Sequence, residues 1–79
     1  MERSKVFDTV KGYILNQLDV SEDRVTERAN LTDDLGADSA NLMMLVMDLE
    51  AEYNMTVEDE QIGHIKTVGD IVDYISRKV

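Results

Sequence analysis

Val6, Phe7, Val10, Ile14 and Leu18 recur at the three- and four-residue spacing of a single helix face. That spacing predicts an amphipathic helix over residues 4–18, with Ser4 as its N-cap and Gly12 as a weak point in its interior. From Asp19 to Asp38 the periodicity stops and the chain turns polar, which predicts a long connection pinned to the core by Val20, Val25, Leu31 and Leu35. A loop of that length without internal order is unusual in a compact domain, so a short helical turn is expected near Thr32-Asp33-Asp34-Leu35. Apolar periodicity resumes in a second helix, expected to start at Asp38 or Ser39 with Asp38 as cap, run to about Tyr53 and end near Asn54. Glu58 to Ile62 reads as a short third helix, with acids at its start and Gly63 at its end. Thr67-Val68-Gly69-Asp70 resembles a capping box with Asp in the third place, opening a last helix through Ile71, Val72, Ile75 and Val79. No segment alternates as a strand would. The expectation is an all-α protein, a small four-helix bundle of three main helices and one short one, with residues 1–79 forming one domain.

The second helix has two apolar stripes. At about 100° per residue, Leu42, Leu45, Val46, Leu49 and Tyr53 fall on one side, the side expected to face the core. Ala40, Met44, Met47 and Ala51 fall nearly opposite, with Met43 at the edge; Asn41, Asp48 and Glu52 form one polar border, Ser39 and Glu50 the other. A bundle this small has no second interior for that stripe. Methionine adapts to differently shaped surfaces, so the outer stripe reads as a docking face for more than one protein. The competing reading encloses the same methionines between the long loop and the third helix.

Charge changes the picture by its distribution. The net charge is −9, from 17 acids and 8 bases. Nine of the acids (Asp33, Asp34, Asp38, Asp48, Glu50, Glu52, Glu58, Asp59, Glu60) lie between Ala29 and Ile65, where no Lys or Arg occurs. The whole excess therefore surrounds the second helix. Such a field repels nucleic acid and anionic membrane and attracts basic partner surfaces. The longest apolar run is far short of the roughly 20 residues a membrane span needs, and the amino terminus resembles neither a secretory signal nor a transit peptide, so a cytoplasmic setting is expected.

Little chemistry is available within the chain. There is no cysteine, so thiol chemistry must be imported, and the one histidine, His64, sits beside Gly63 in an expected linker. No base accompanies a serine nucleophile, so a hydrolase triad is not expected. Neither a calcium loop nor a phosphate-cradling glycine motif is present, and no specific metal site is expected beyond weak divalent-cation binding by clustered acids. What remains is Ser39 at a helix start, where free amides and the positive dipole end favour a phosphate on its oxygen.

Leu35-Gly36-Ala37-Asp38-Ser39, preceded by Asp33-Asp34 and followed by a helix ending Asp48-Leu49-Glu50-Ala51-Glu52-Tyr53, resembles the acyl carrier proteins of dissociated (type II) fatty acid synthesis. The similarity extends through Ile65-Lys66-Thr67-Val68-Gly69-Asp70-Ile71-Val72-Asp73-Tyr74-Ile75. The resemblance implies that Ser39, beside its motif neighbour Asp38, carries 4′-phosphopantetheine transferred from coenzyme A by a separate phosphopantetheinyl transferase. It further implies a monomeric, non-catalytic carrier whose imported thiol holds acyl groups as thioesters. Its partners would be the transferase, ketoacyl synthases, reductases, dehydratases and acyltransferases with basic docking surfaces. Ala40, Met43, Met44, Met47, Asp48, Glu50 and Ala51 are the candidate docking residues. Leu42, Leu45, Val46, Leu49 and Ile62 are candidates to line a cavity for the acyl chain, inferred from the core stripe.

The chain departs from the family pattern after the serine. Ala40 stands where leucine usually follows, Asn41 where an acid does, and Met44 and Ala51 where acids often occur. Either the partners rely more on Met43, Met44 and Met47, or the chain is a specialised or altered carrier. Two other functions fit the residues: a carrier of polyketide, aminoacyl or D-alanyl groups, and an unmodified acidic interaction or regulatory subunit.

Overall fold

The computed structural model describes residues 2–79. They form four helices: α1 (Arg3–Gln17), α2 (Ser39–Tyr53), α3 (Asp59–Ile62) and α4 (Val68–Lys78). Among the described residues there is no strand, and no helix is long and apolar enough to cross a membrane. Helix α1 is the central element, packing against α4 and α2. Val6, Val10 and Ile14 of α1, Leu45 and Leu49 of α2, and Val68, Ile71, Val72 and Ile75 of α4 meet in one core.

Helix α1 starts at Arg3, after the extended residue Glu2 and without a side-chain cap. Ser4 is therefore inside the first turn and is not the N-cap. The start is held from outside the helix, because the Arg3 guanidinium pairs with Glu27 of the long loop and Asp73 of α4. The C-terminal helix begins as its sequence suggests: the Thr67 hydroxyl accepts from the Asp70 amide at 3.1 Å, and the Asp70 carboxylate accepts from the Thr67 amide at 3.1 Å. Gly63 closes α3 in a right-handed conformation (φ −65°), and the left-handed end occurs instead at Asn54, after α2 (φ 51°).

The long loop is ordered by hydrogen bonds. A 3₁₀ turn at Glu22–Arg24, absent from the sequence expectation, leads to Val25, which is buried with Ala29, Leu31, Leu35 and Ala37 in the same core. Residues 29–31 then lie antiparallel to residues 66–68: the Leu31 amide donates to the Lys66 carbonyl at 2.9 Å and the Val68 amide to the Ala29 carbonyl at 3.1 Å. The Gly69 amide adds a bond to the Glu27 carbonyl at 2.9 Å. A Cβ on Gly69 would stand 2.9 Å from that same oxygen, so the approach of loop to helix requires glycine there.

Candidate functional site

The turn expected near residues 32–35 is present and is built by two side chains. Asn30 Oδ1 accepts from the amides of Thr32 and Asp33, each at 2.9 Å, while Asp34 Oδ2 accepts from the Asn30 amide at 2.7 Å. The chain leaves this turn through Gly36, whose φ of +75° a side chain would strain. Leu35 and Ala37 on either side are buried and exposed by only 4% and 3%, which pins both flanks of the reversal and turns Asp38 and Ser39 outward.

Helix α2 then opens with a reciprocal cap. Asp38 Oδ1 accepts from the Asn41 amide at 2.8 Å, and Asn41 Oδ1 accepts from the Asp38 amide at 3.2 Å. Periodicity identified Asn41 only as part of a polar border; the signal for its capping role was its place three residues after an aspartate. The box leaves the Ser39 and Ala40 amides at the helix head outside it. Ser39 itself is exposed. An accessible hydroxyl beside uncapped amides at the positive end of a 15-residue helix fits a phosphodiester, and no buried side chain has to move to admit one.

The two faces of α2 are distinct. Leu45, Val46 and Leu49 are buried, and Leu42 and Tyr53 are half-buried. Met43, Met44 and Met47 are 45%, 56% and 61% exposed, and Ala40 and Ala51 are exposed beside them, so these methionines are not enclosed. Asp48 and Glu50 are half-buried and engaged within the chain: Asp48 Oδ2 accepts from Gln17 Nε2 at 3.0 Å, and Glu50 Oε2 from the Val57 amide at 2.8 Å. Glu52 accepts from the Tyr13 hydroxyl at 2.6 Å, a bond that, with burial second, raises the phenol above its ordinary pKa of 10.0. These three acids therefore tie α2 to α1 and to the following loop.

Between α1 and α2 lies a cavity of about 10 Å³, lined by Ile14, Gln17, Leu18, Leu31, Ala37, Asn41, Leu42 and Leu45. That is room for about one water. Of the residues nominated for an acyl cavity, Leu42 and Leu45 line it; Val46, Leu49 and Ile62 do not. Val46 is buried outside the main core cluster, and Ile62 is half-buried at the end of α3. His64 is exposed in the turn after α3. Among the described residues no group of three or more His, Cys, Asp or Glu is placed to hold a metal ion.

The chain is similar to known proteins in both sequence and fold. Residues 8–75 match the family model described as a phosphopantetheine attachment site. The chain is 51% identical to an acyl carrier protein of Thermotoga maritima over 98% of its own length and 95% of the relative's. It is 44% identical to one from Petrotoga mobilis over 100% and 93%. Among solved structures, it superposes on the acyl carrier protein of Enterococcus faecalis with a TM-score of 0.84 at 40% identity, covering 100% of both chains. A putative acyl carrier protein from Mycobacterium tuberculosis superposes with a TM-score of 0.85 at 31% identity, over 94% of this chain and 99% of that one. The chain belongs to the acyl carrier protein family, whose prosthetic group is a covalently attached 4′-phosphopantetheine.

Proposed function

We propose that Ser39 is the attachment point for 4′-phosphopantetheine and that the whole 79-residue unit works as a cytoplasmic, monomeric, non-catalytic carrier of acyl intermediates in fatty acid synthesis. The observation that carries this reading is the exposed Ser39 at the capped head of α2, inside the span that matches the attachment-site family. The group supplies the thiol that a cysteine-free chain lacks, so that acyl chains ride as thioesters. The protein's part is to present the Ser39 hydroxyl, surround it with negative charge, and offer an apolar face that other enzymes can read.

Docking is assigned to the outer stripe of α2: Ala40, Met43, Met44, Met47 and Ala51, with Asp48 and Glu50 at its borders. Basic surfaces on a phosphopantetheinyl transferase, and on the synthases, reductases, dehydratases and acyltransferases that would use the carrier, complement the surrounding acids. Once such an enzyme has docked, the tethered cargo is held at high effective concentration. Neither another cargo class nor an unmodified subunit is favoured by the relatives.

Intact-mass measurement after incubation with coenzyme A and a transferase tests the assignment. The wild-type chain is expected to gain one phosphopantetheine and Ser39→Ala none. No gain by the wild type, or gain by Ser39→Ala, overturns it.

A further inference from the structure

Three of the chain's five methionines fall within five consecutive residues of α2. Met43 and Met47 are four positions apart and Met44 and Met47 three, so their side chains are neighbours on the outer face of the helix. All three are exposed, and none belongs to the core. Met55, by contrast, is half-buried and packs against the core cluster. Leucine would give the outer face comparable apolar area; what methionine adds is a sulfur that can be oxidised. Until phosphopantetheine is attached, no thiol in the chain competes for an oxidant. The nine acids between Ala29 and Ile65 repel anionic oxidants, but they set no electrostatic barrier against neutral hydrogen peroxide.

We propose that Met43, Met44 and Met47 form a reversible oxidation site through which peroxide weakens docking at the outer face of α2. The inference rests on the reading of that face as the surface that partner enzymes cover. The methionine sulfur attacks one oxygen of hydrogen peroxide: an S–O bond forms, the O–O bond breaks, and the second oxygen leaves with both protons as water. Sulfur loses two electrons and peroxide gains them. Return to the thioether takes two thiols of a reductase, which become a disulfide while the sulfoxide oxygen leaves as water. A sulfoxide is polar, so a partner that covers it has to strip its water. The core is untouched, because none of the three side chains is part of it. Oxidation therefore acts on docking and leaves the fold in place.

The test uses the full chain without its prosthetic group, coenzyme A and a phosphopantetheinyl transferase. The chain is treated with hydrogen peroxide, freed of it, and mapped by peptide mass. Met43, Met44 and Met47 are expected to gain oxygen well ahead of Met55, with the helical circular dichroism retained. The transferase's KM for the oxidised chain is expected to rise about tenfold with kcat unchanged, the effect of one covered polar group left without a partner. Treatment with two methionine sulfoxide reductases, one for each epimer, is expected to restore it. In a chain carrying Met43→Leu, Met44→Leu and Met47→Leu together, the ratio of KM after peroxide to KM before is expected to be one, whatever the starting value. Oxidation of Met55 as fast as the other three, a KM indifferent to peroxide, the same rise in the leucine variant, no recovery with the reductases, or loss of helicity overturns the proposal and leaves the carrier reading intact. Met47→Gln, polar without any oxidant, reads the face separately: an unchanged KM there overturns the docking assignment and the proposal with it. An untreated wild-type chain that takes up no phosphopantetheine overturns the carrier reading as well.

Discussion

Gly12 and Gly69 both sit in helices, and the same substitution should act on them with opposite signs. Gly12 is exposed in α1 with nothing within 4 Å of an added Cβ, so Gly12→Ala is expected to stabilise by about 1 kcal/mol through helix propensity. At Gly69 the added Cβ would meet the Glu27 carbonyl at 2.9 Å, an atom held in the core-packed loop. Gly69→Ala is expected to destabilise by about 1–3 kcal/mol despite the better propensity. Urea unfolding of the two variants checks the pair; equal signs would mean that the loop yields at Glu27. Only one of these roles was legible in the sequence. The weakness of Gly12 follows from its own helix, whereas Gly69 is constrained by a main-chain oxygen far away in the chain that no local pattern reveals. The same divide runs through the candidate site: Asp38 was readable as a cap because capping is short-range chemistry. The hydrogen bond from Gln17 to Asp48 exists only once α2 has packed against α1.

Among the elements, the helices and the turn at residues 32–35 were the readable part and the path of the rest of the long loop was not. The two faces of α2 follow from a 3.6-residue period, and burial of Leu45, Val46 and Leu49 opposite exposed Met44 and Met47 matches it. The loop owes its path to main-chain bonds with residues 66–69, which have no side-chain signature, so its isolated apolar residues could say only that Val20, Val25, Leu31 and Leu35 pin it to the core, where Val25, Leu31 and Leu35 are buried and Val20 is half-buried. Helix α4 carries a pH-dependent element. Asp70 accepts from the Lys66 amide at 3.0 Å and from the Thr67 amide at 3.1 Å, and the Lys66 bond first, then those with Thr67, hold its carboxyl below the ordinary 3.8. A carboxylate whose folded pKa is depressed stabilises the fold above the unfolded value and loses that contribution as pH falls through the folded one. Asp70→Asn is therefore expected to cost about 1 kcal/mol near pH 6, with the difference from wild type shrinking below about pH 4. Thermal melts of both proteins across pH 2–6 check this; a difference that persists at the acid end would place the effect in side-chain shape.

For the molecule as a whole, charge is unevenly compensated. The ion pairs among the described residues join Arg3 to Glu27 and Asp73 and Lys11 to Glu22, so none of the nine acids between Ala29 and Ile65 has a cationic partner there. These pairs are largely exposed and contribute little individually. Raising ionic strength from about 10 mM to about 150 mM shortens the screening length from about 30 Å to about 8 Å and weakens the repulsion among the acids. The melting temperature is expected to rise by several degrees with sodium chloride, and likewise with magnesium. A flat or falling midpoint would count against acid repulsion as a term in stability. The acidic segment was plain from sequence; that its three members within α2 (Asp48, Glu50 and Glu52) accept hydrogen bonds from outside that helix was not, because their donors come from α1 and from the loop after α2.

Helix α3 differs in kind from the other three. It has four residues, no side-chain cap and no buried residue, while isolated helices shorter than about 12–15 residues barely persist in water. Nothing in the core has to open for it to unravel, so it keeps a faster clock than α1 and α4, which cannot part without exposing Val6, Val10, Val68 and Val72. The fold is thus tied down at the head of α2, where Asp38 and Asn41 cap each other, and yields first along the short stretch of α3.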